Sequence, residues 1–319
     1  MRRIALIGLL MLVQPLLAEE PKNVRPPKDE ADMRYWLENM VWYHHFTTDE
    51  IRSATGMSTE RIESALKKFN ISQKTKPRRA ADAPLLVLPY PGGRHPRIGF
   101  LDGAILPQRE TKISVFMPWD DTNYVVLDVP EAIWHNGPRG RELYYLAHDY
   151  ELPTIWVRKG IRLDKLEWQR NDDGTLLCRR RLPDGVEFGT KIIPGRDAVR
   201  MEMWLTNGSK CKLTGLDVQN CIMFKGAPEF AALSNDNNLY QMPYACRSNG
   251  GDRWLITAWV PLWRTWANPR CPCLHSDPRF PDCEPGQTKR LRGWLSFYEG
   301  KDLKSELRRI EATGWRKGE

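Results

Sequence analysis

The sequence predicts a mainly β protein, in which a large antiparallel β-sandwich follows a small three-helix segment. Two patterns predict this fold class. From Leu85 onward, more than ten short stretches alternate apolar and polar residues and are separated by turn signals, which is typical of a sandwich. Before Leu85, apolar residues recur at three- and four-residue steps, which is the spacing of amphipathic helices.

The first eighteen residues have the pattern of an export signal. Arg2 and Arg3 precede an apolar run that ends at the small residue Ala18. Because the run is shorter than the roughly 20 residues that a membrane span needs, we expect cleavage after Ala18. The sequence therefore predicts a secreted or periplasmic protein without a stable membrane span. An uncleaved anchor is the alternative.

Net charge indicates which partners suit the chain. The 319 residues carry a formal charge of +8, which is spread over several local clusters. Outside the cytoplasm such a surface favours acidic glycans, and we expect no nucleic-acid partner. Solubility alone is the simpler explanation of the same charge.

Residues 31–70 are predicted to form the helical segment, and the basic residues 71–84 a linker. Thr47 and Glu50 form a capping box, and Ser58 is the N-cap of the next helix. The turn from Glu50 to Ser58 resembles that of a helix-turn-helix module. Since DNA-binding versions work in the cytoplasm, we interpret the segment as a packing element or as a docking site for a protein partner.

The sandwich is predicted over residues 85–300, followed by a closing helix at 301–311. Alternation is cleanest between Asp197 and Thr206, and Pro183 to Gly185 marks a hairpin turn. Thr154 to Arg158 also has strand-like composition. In the closing helix, the apolar residues Leu303, Leu307 and Ile310 share one side.

The order of these features carries a family resemblance. A hairpin from Leu166 to Phe188 is followed by a strand ending at Asn207 and then by the stretch from Leu213 to Cys221. This layout resembles the galactose mutarotase-like supersandwich of aldose 1-epimerases and their non-epimerase relatives. The resemblance implies that fold and a carbohydrate-directed cleft. Epimerase chemistry does not follow, because the family's local histidine and glutamate motifs are not found here.

A second resemblance covers the whole chain. The phrases at residues 93–99 and 273–278 are similar to those in a group of exported proteins from planctomycete-type bacteria. This resemblance implies an exported protein and assigns no reaction. If the protein is an enzyme, we expect a carbohydrate epimerase, lyase or hydrolase that acts in the predicted cleft.

The loop around Arg94 is the first candidate site. Arg94 and Arg97 suit a carboxylate or sulfate because guanidinium groups bind such anions in fork geometry. His95 could transfer a proton near neutral pH, and Arg109 and Glu110 follow as further candidates for substrate binding. The alternative is a tight turn whose arginines pair with local carboxylates.

The proline-rich segment at 268–286 is the second candidate site and is predicted to be a rigid loop. Its potentially reactive residues are Cys271, Cys273, His275, Asp277 and Cys283. A disulfide between Cys273 and Cys283, with His275 and Asp277 hydrogen-bonded, is preferred to a metal site because export favours oxidation. We therefore assign no metal ligand and leave any cofactor unknown.

The two loops are predicted to meet at one cleft that binds an oligosaccharide. His95, His148 or His275 would move a proton there, and Asp277 and Trp263 would contact the sugar. The second hypothesis is a non-catalytic envelope scaffold, in which the helical segment docks a partner.

Overall fold

The computed structural model describes residues 24–94, 109–147 and 153–317. The α-helices are α1 (Glu30–Glu38), α2 (Thr48–Thr55), α3 (Thr59–Lys68), α4 (Ile155–Arg158) and α5 (Leu303–Ala312). A π-helical turn at Asn39–Tyr43 continues α1, and short 3-10 turns lie at Gln73–Thr75, Pro228–Phe230 and Trp315–Lys317. Among the described residues, none of the helices is long and apolar enough to cross a membrane.

Fifteen strands form two antiparallel sheets in the described part of the chain. They are β1 (Val87–Pro89), β2 (Lys112–Met117), β3 (Asp120–Gly137), β4 (Gly140–Leu146), β5 (Gln169–Arg170), β6 (Leu176–Arg181), β7 (Glu187–Pro194), β8 (Ala198–Thr206), β9 (Val218–Met223), β10 (Asn238–Gln241), β11 (Tyr244–Ser248), β12 (Arg253–Val260), β13 (Leu262–Trp266), β14 (Cys273–Pro278) and β15 (Thr288–Glu299). The seven-stranded sheet has the order β1-β2-β3-β9-β14-β13, with β4 also paired to β3. The eight-stranded sheet has the order β10-β11-β12-β15-β8-β7-β6-β5. The predicted fold class is confirmed.

The main core lies between the two sheets. Alternate residues of the seven-stranded sheet, such as Val125 and Leu127, are fully buried and cluster with Met201 and Leu295 of the other sheet. Because side chains on a strand alternate between faces, the residues in between point to the opposite, outer face of the sheet. That outer face carries most of the polar groups discussed below.

The helical segment packs on the outer face of the seven-stranded sheet. Asn39 donates its side-chain N–H to the carbonyl of Pro89 at 3.1 Å, and His44 Nε2 lies 2.7 Å from Ser114 Oγ. The observed capping box at Thr47 and Glu50 begins α2 as predicted. One face of the helical segment is thus used for packing within the chain.

Helix α5 covers the other side of the molecule. Leu303, Leu307 and Ile310 are buried against Tyr244 and Trp294 of the eight-stranded sheet. The predicted apolar side of the closing helix is confirmed.

Two local predictions were wrong. Ile155–Arg158 is a short helix because the hydroxyl of Thr154 caps it by accepting from the backbone N–H of Val157. The supposed proline loop contains strand β14, which pairs with β9 and β13. Its prolines interrupt few ladder hydrogen bonds because they lie outside the strand or at its last residue, Pro278.

Candidate functional site

Tryptophans and arginines alternate across a half-exposed part of the seven-stranded sheet. We call Trp134, Arg141, Trp263, Arg264 and Trp266 the tryptophan–arginine ladder. The Arg141 guanidinium carbon lies 4.5 Å from the ring centre of Trp134 and 5.1 Å from that of Trp263. The Arg264 guanidinium carbon lies 4.2 Å from Trp263 and 4.8 Å from Trp266. Each arginine of the ladder therefore contacts two indole rings, an arrangement stabilised by cation–π attraction.

Carboxylates hold the arginines beside these rings. Asp217 is 3.2 Å from Arg141 Nη2 and 2.5 Å from Arg279 Nε, and the Arg279 guanidinium carbon lies 5.4 Å from the Trp263 ring centre. Arg264 Nε donates to Asp277 Oδ2 at 2.9 Å. The side chains of Arg141, Arg264 and Arg279 are still 44%, 41% and 50% exposed, so N–H donors remain open to solvent.

The ladder assembles from strands that are distant in sequence. Trp134 on β3 lies beside Asp217, because the backbone N–H of Trp134 donates to the backbone carbonyl of Asp217 at 2.8 Å. Asp217 in turn bridges to Arg279, and β13 brings Trp263 alongside β14. Trp134 and Arg141 come together because β3 and β4 form a hairpin.

Next to the ladder, three thiols and one imidazole converge on the same outer face. The Cys273 thiol is hydrogen-bonded to the thiols of Cys221 and Cys271 and to the imidazole of His275. The ligand atoms of Cys221, Cys273 and His275 all lie within 4.8 Å of one another, and all four residues are buried. We call these four residues the thiol–histidine cluster. Three of its members, Cys221, Cys273 and His275, form the group within the described residues whose ligand atoms lie close enough together to share one metal ion.

His275 joins the thiol–histidine cluster to the ladder. Its ring stacks on Trp266 with 3.9 Å between ring centres, and its Nε2 lies 3.4 Å from Cys273 Sγ. Burial lowers the pKa of His275, but Asp277 and Cys273 outweigh burial and raise it to about 10. The catalytic role assigned to His275 stays a prediction.

The predicted Cys273–Cys283 disulfide was wrong, since both cysteines are free thiols. Cys283 belongs to the core between the sheets and forms an isolated bridge with Leu213, whereas Cys273 lies in the separate cluster on the outer face. The physical reason is strand β14. An extended strand advances about 3.3 Å per residue, so it carries the chain away from Cys273 before it reaches Cys283.

Arg94 is bound within the chain. Its Nε and Nη2 donate to the two carboxylate oxygens of Glu50 at 2.7 and 2.9 Å, and its Nη1 donates to the Tyr124 hydroxyl at 3.2 Å. Tyr124 belongs to the same outer-face cluster as Cys271 and Cys273. Arg94 thus borders the cluster that contains Cys271 and Cys273, and it is engaged there in docking helix α2.

Arg109 and Glu110 belong to a second ion-pair network. Arg109 lies 3.2 Å from Glu167 and stacks over the Trp36 ring at 3.6 Å. Glu110 accepts from Arg25 at 2.5 Å and from Arg180 at 3.2 Å. Arg109 and Glu110 are thus paired with charged side chains of this chain that are distant in sequence. The substrate-binding roles of Arg109 and Glu110 stay predictions.

Three other predicted site residues, His95, Arg97 and His148, lie outside the described residues, as does the predicted export signal. Of the residues predicted to contact sugar, Trp263 lies at the centre of the ladder and Asp277 binds Arg264. Sequence reasoning missed Cys221, Arg141, Asp217 and Arg279. Alternation in β9 could have placed Cys221 on the outer face, but its neighbours there come from residues about 50 positions away.

Comparisons with known proteins assign no family. No family model matches the chain, and the search of curated proteins found no match. Among solved structures, the Slr1438 protein from Synechocystis has a TM-score of 0.35 at 10% identity, covering 59% of this chain and 88% of that one. A heparan sulfate lyase mutant from Pedobacter heparinus has a TM-score of 0.37 at 10% identity, covering 85% of this chain and 46% of that one.

A putative kojibiose phosphorylase from the human microbiome has a TM-score of 0.34 at 7% identity, covering 61% of this chain and 26% of that one. This chain therefore spans less than half the length of both carbohydrate enzymes. TM-scores this low do not establish a common fold or a common activity.

Proposed function

We propose that this protein binds an acidic saccharide along the tryptophan–arginine ladder. The observation that carries the proposal is the alternation of half-exposed indoles with solvent-accessible guanidinium groups on the seven-stranded sheet. Indole rings offer flat apolar surfaces to the C–H faces of sugar rings. Guanidinium groups offer paired N–H donors to carboxylate or sulfate groups.

The charge balance of the ladder favours a glycan over a nucleic acid. The ladder arginines Arg141 and Arg264 and the neighbouring Arg279 carry three positive charges, and their partners Asp217 and Asp277 carry two negative ones, so these five groups have a net charge of 3 − 2 = +1. Affinity for nucleic acids rests mainly on the neutralisation of many phosphates by basic side chains. A saccharide that combines ring contacts with occasional acidic groups fits this surface better.

The proposal includes the exported location predicted from the first eighteen residues, and it assigns no reaction. Two of the partly similar structures carry the names of carbohydrate enzymes, but the proposal rests on the ladder alone. The scaffold alternative, in which the helical segment docks a partner, stays a prediction. The described contacts of the helical segment are made with the seven-stranded sheet and Arg94 of this chain.

Truncating Trp263 is expected to weaken this binding at least about tenfold, which corresponds to about 1.4 kcal/mol, because Trp263 touches both arginines of the ladder. The measurement is titration calorimetry of wild type and Trp263→Ala with the tightest ligand from an array of uronate, sulfated and neutral glycans. Arg141→Ala should weaken binding in the same direction. Affinity should also fall as salt is raised, because exposed charges are screened.

The matched control is Arg179→Ala. Arg179 lies 5.9 Å from the Trp204 ring on the eight-stranded sheet, so it repeats an arginine–tryptophan pair away from the ladder. This variant should bind like wild type. Unchanged affinity in a folded Trp263→Ala variant, or tighter binding of single-stranded nucleic acid than of every acidic glycan, would contradict the proposal.

A further inference from the structure

We propose that the thiol–histidine cluster, Cys221, Cys271, Cys273 and His275, is a binding site for one zinc ion. Three sulfur ligands and one imidazole nitrogen form a common ligand set of structural zinc sites. Zinc would occupy all four tetrahedral positions with protein ligands, so we infer a structural and not a catalytic ion. This inference does not depend on saccharide binding.

The interatomic distances fit such an ion. Cys273 Sγ is 3.4 Å from His275 Nε2, and the ligand atoms of Cys221, Cys273 and His275 fall within 4.8 Å of one another. Zinc–sulfur bonds of about 2.3 Å and zinc–nitrogen bonds of about 2.0 Å in tetrahedral geometry place sulfur and nitrogen about 3.5 Å apart. The observed separation therefore needs little rearrangement on binding. The Cys271 thiol is hydrogen-bonded to Cys273 but lies outside this 4.8 Å group, so it would move closer on zinc binding to supply the fourth ligand.

The backbone brings these four residues together from two strands and a turn. Cys273 pairs with Met223 in the β9–β14 ladder, and continuing that antiparallel register places Cys221 opposite His275. Side chains two residues apart on a strand share one face, so Cys273 and His275 point the same way. A tight turn, in which the Cys273 N–H donates to the Cys271 carbonyl at 2.7 Å, adds the fourth residue.

The orientation of His275 is typical of a metal-binding histidine. Its Nε2 faces the thiols, while its Nδ1 lies 3.6 Å from Asp277 Oδ1 and has no closer hydrogen-bond partner within the described residues. A carboxylate behind a ligating imidazole fixes the ring and raises its basicity. Asp277 is itself held by Arg264, by the Trp266 indole at 2.7 Å and by the Asn220 N–H at 3.0 Å.

A buried arginine, Arg247, would balance the charge of the zinc-occupied site. Arg247 is almost fully buried and interacts electrostatically with Cys273. Its hydrogen bonds in the described part of the chain go to neutral oxygens of Phe230, Ala232, Ser234 and Asn238. Three thiolates around a divalent ion carry a net charge of about −1 (+2 − 3), which the Arg247 guanidinium would offset.

The zinc ion would tie β9 to β14 next to the ladder. Trp266 stacks on His275, and Arg264 binds the same Asp277 that supports the histidine. The ion would thus fix the strand that neighbours β13, from which Trp263, Arg264 and Trp266 project.

The test is the metal content of the full-length protein purified without reductant or chelator from cells grown with added zinc. We expect about one equivalent of zinc by elemental analysis. We also expect that replacement by Co²⁺ gives a thiolate-to-cobalt charge-transfer band and the visible bands of a tetrahedral site. Cys221→Ser should lose both signals. Cys211→Ser, which removes an exposed thiol outside the cluster, should keep both.

Asp277→Asn tests the supporting carboxylate separately, and we expect it to weaken zinc binding by about 10- to 100-fold in a chelator competition. Zinc far below one equivalent in folded wild type would overturn the proposal. A disulfide joining two of Cys221, Cys271 and Cys273, found by mass spectrometry of the non-reduced protein, would also overturn it.

Discussion

Replacing Asp128 by asparagine is expected to lower the free energy of unfolding by about 3–5 kcal/mol. Lys112 Nζ lies 2.7 Å from Asp128 Oδ2, and the two side chains are 1% and 0% exposed. Asp128 also accepts a hydrogen bond from the Thr111 hydroxyl at 2.6 Å. The variant would leave the Lys112 ammonium buried without a counter-charge, which costs far more than the loss of a surface pair. Urea unfolding measures the difference.

Two further variants make this result specific. Asp282→Asn removes a carboxylate from an exposed pair with Lys212, and its expected effect is within about 1 kcal/mol. The double variant Lys112→Met, Asp128→Leu removes both buried charges and should be more stable than Asp128→Asn. If Asp128→Asn lowered the free energy of unfolding no more than Asp282→Asn does, the buried pair would not contribute the expected stability.

Acidification is expected to destabilise the protein through His44. Burial, together with the charge of Arg94, lowers the pKa of His44 from 6.5 to about 3, against a smaller opposing effect of its hydrogen bond to the Asn39 carbonyl. The unfolded chain therefore takes up the proton at a higher pH than the folded one. The stability that this pKa difference contributes is fully present above pH 6.5. It is lost as the pH falls towards 3, up to about 5 kcal/mol in total.

The measurement is the free energy of unfolding at pH 7 and at pH 5, where His44 alone should account for a loss of about 2 kcal/mol. His44→Gln cannot ionise and should lack this part of the pH dependence. His45→Gln changes the exposed neighbouring histidine and should retain most of it. Equal pH dependence in wild type and His44→Gln would contradict the assignment.

The fold could be predicted because its signals are local. Alternation in β8, the capping box of α2 and the apolar side of α5 each lie within ten or so consecutive residues, and each is observed. Period-two and helical patterns report which face of an element is buried, and the structure confirms them on both sheets. Loop composition was less reliable, since the prolines around β14 were interpreted as a loop.

The site could be predicted only in part, because its contacts join strands that are far apart in sequence. Trp263 was identified from the local density of tryptophan and arginine. Asp217 lies between Arg141 and Arg279 because separate strands are neighbours in the sheet. The alternation of apolar and polar residues does not predict which strands are neighbours. Arg94 was assigned to substrate, but its partner Glu50 comes from the helical segment.

The disulfide prediction failed for the same reason. It considered pairings only among the cysteines of one segment. The structure instead places Cys221, from another strand, next to Cys273. Export chemistry then favoured oxidation, whereas the observed neighbours Cys221, Cys273 and His275 are residue types that could together hold a metal ion. Strand order, which is a property of the whole chain, was the missing information.

The most direct test of the central claim is a crystal structure of the full-length protein with an acidic tetrasaccharide chosen from the glycan array. We predict that a sugar ring lies against Trp263 and that a carboxylate or sulfate group is within hydrogen-bond distance of Arg141, Arg264 or Arg279. A saccharide bound on the eight-stranded sheet or at the helical segment, with the ladder free of sugar, would contradict the account.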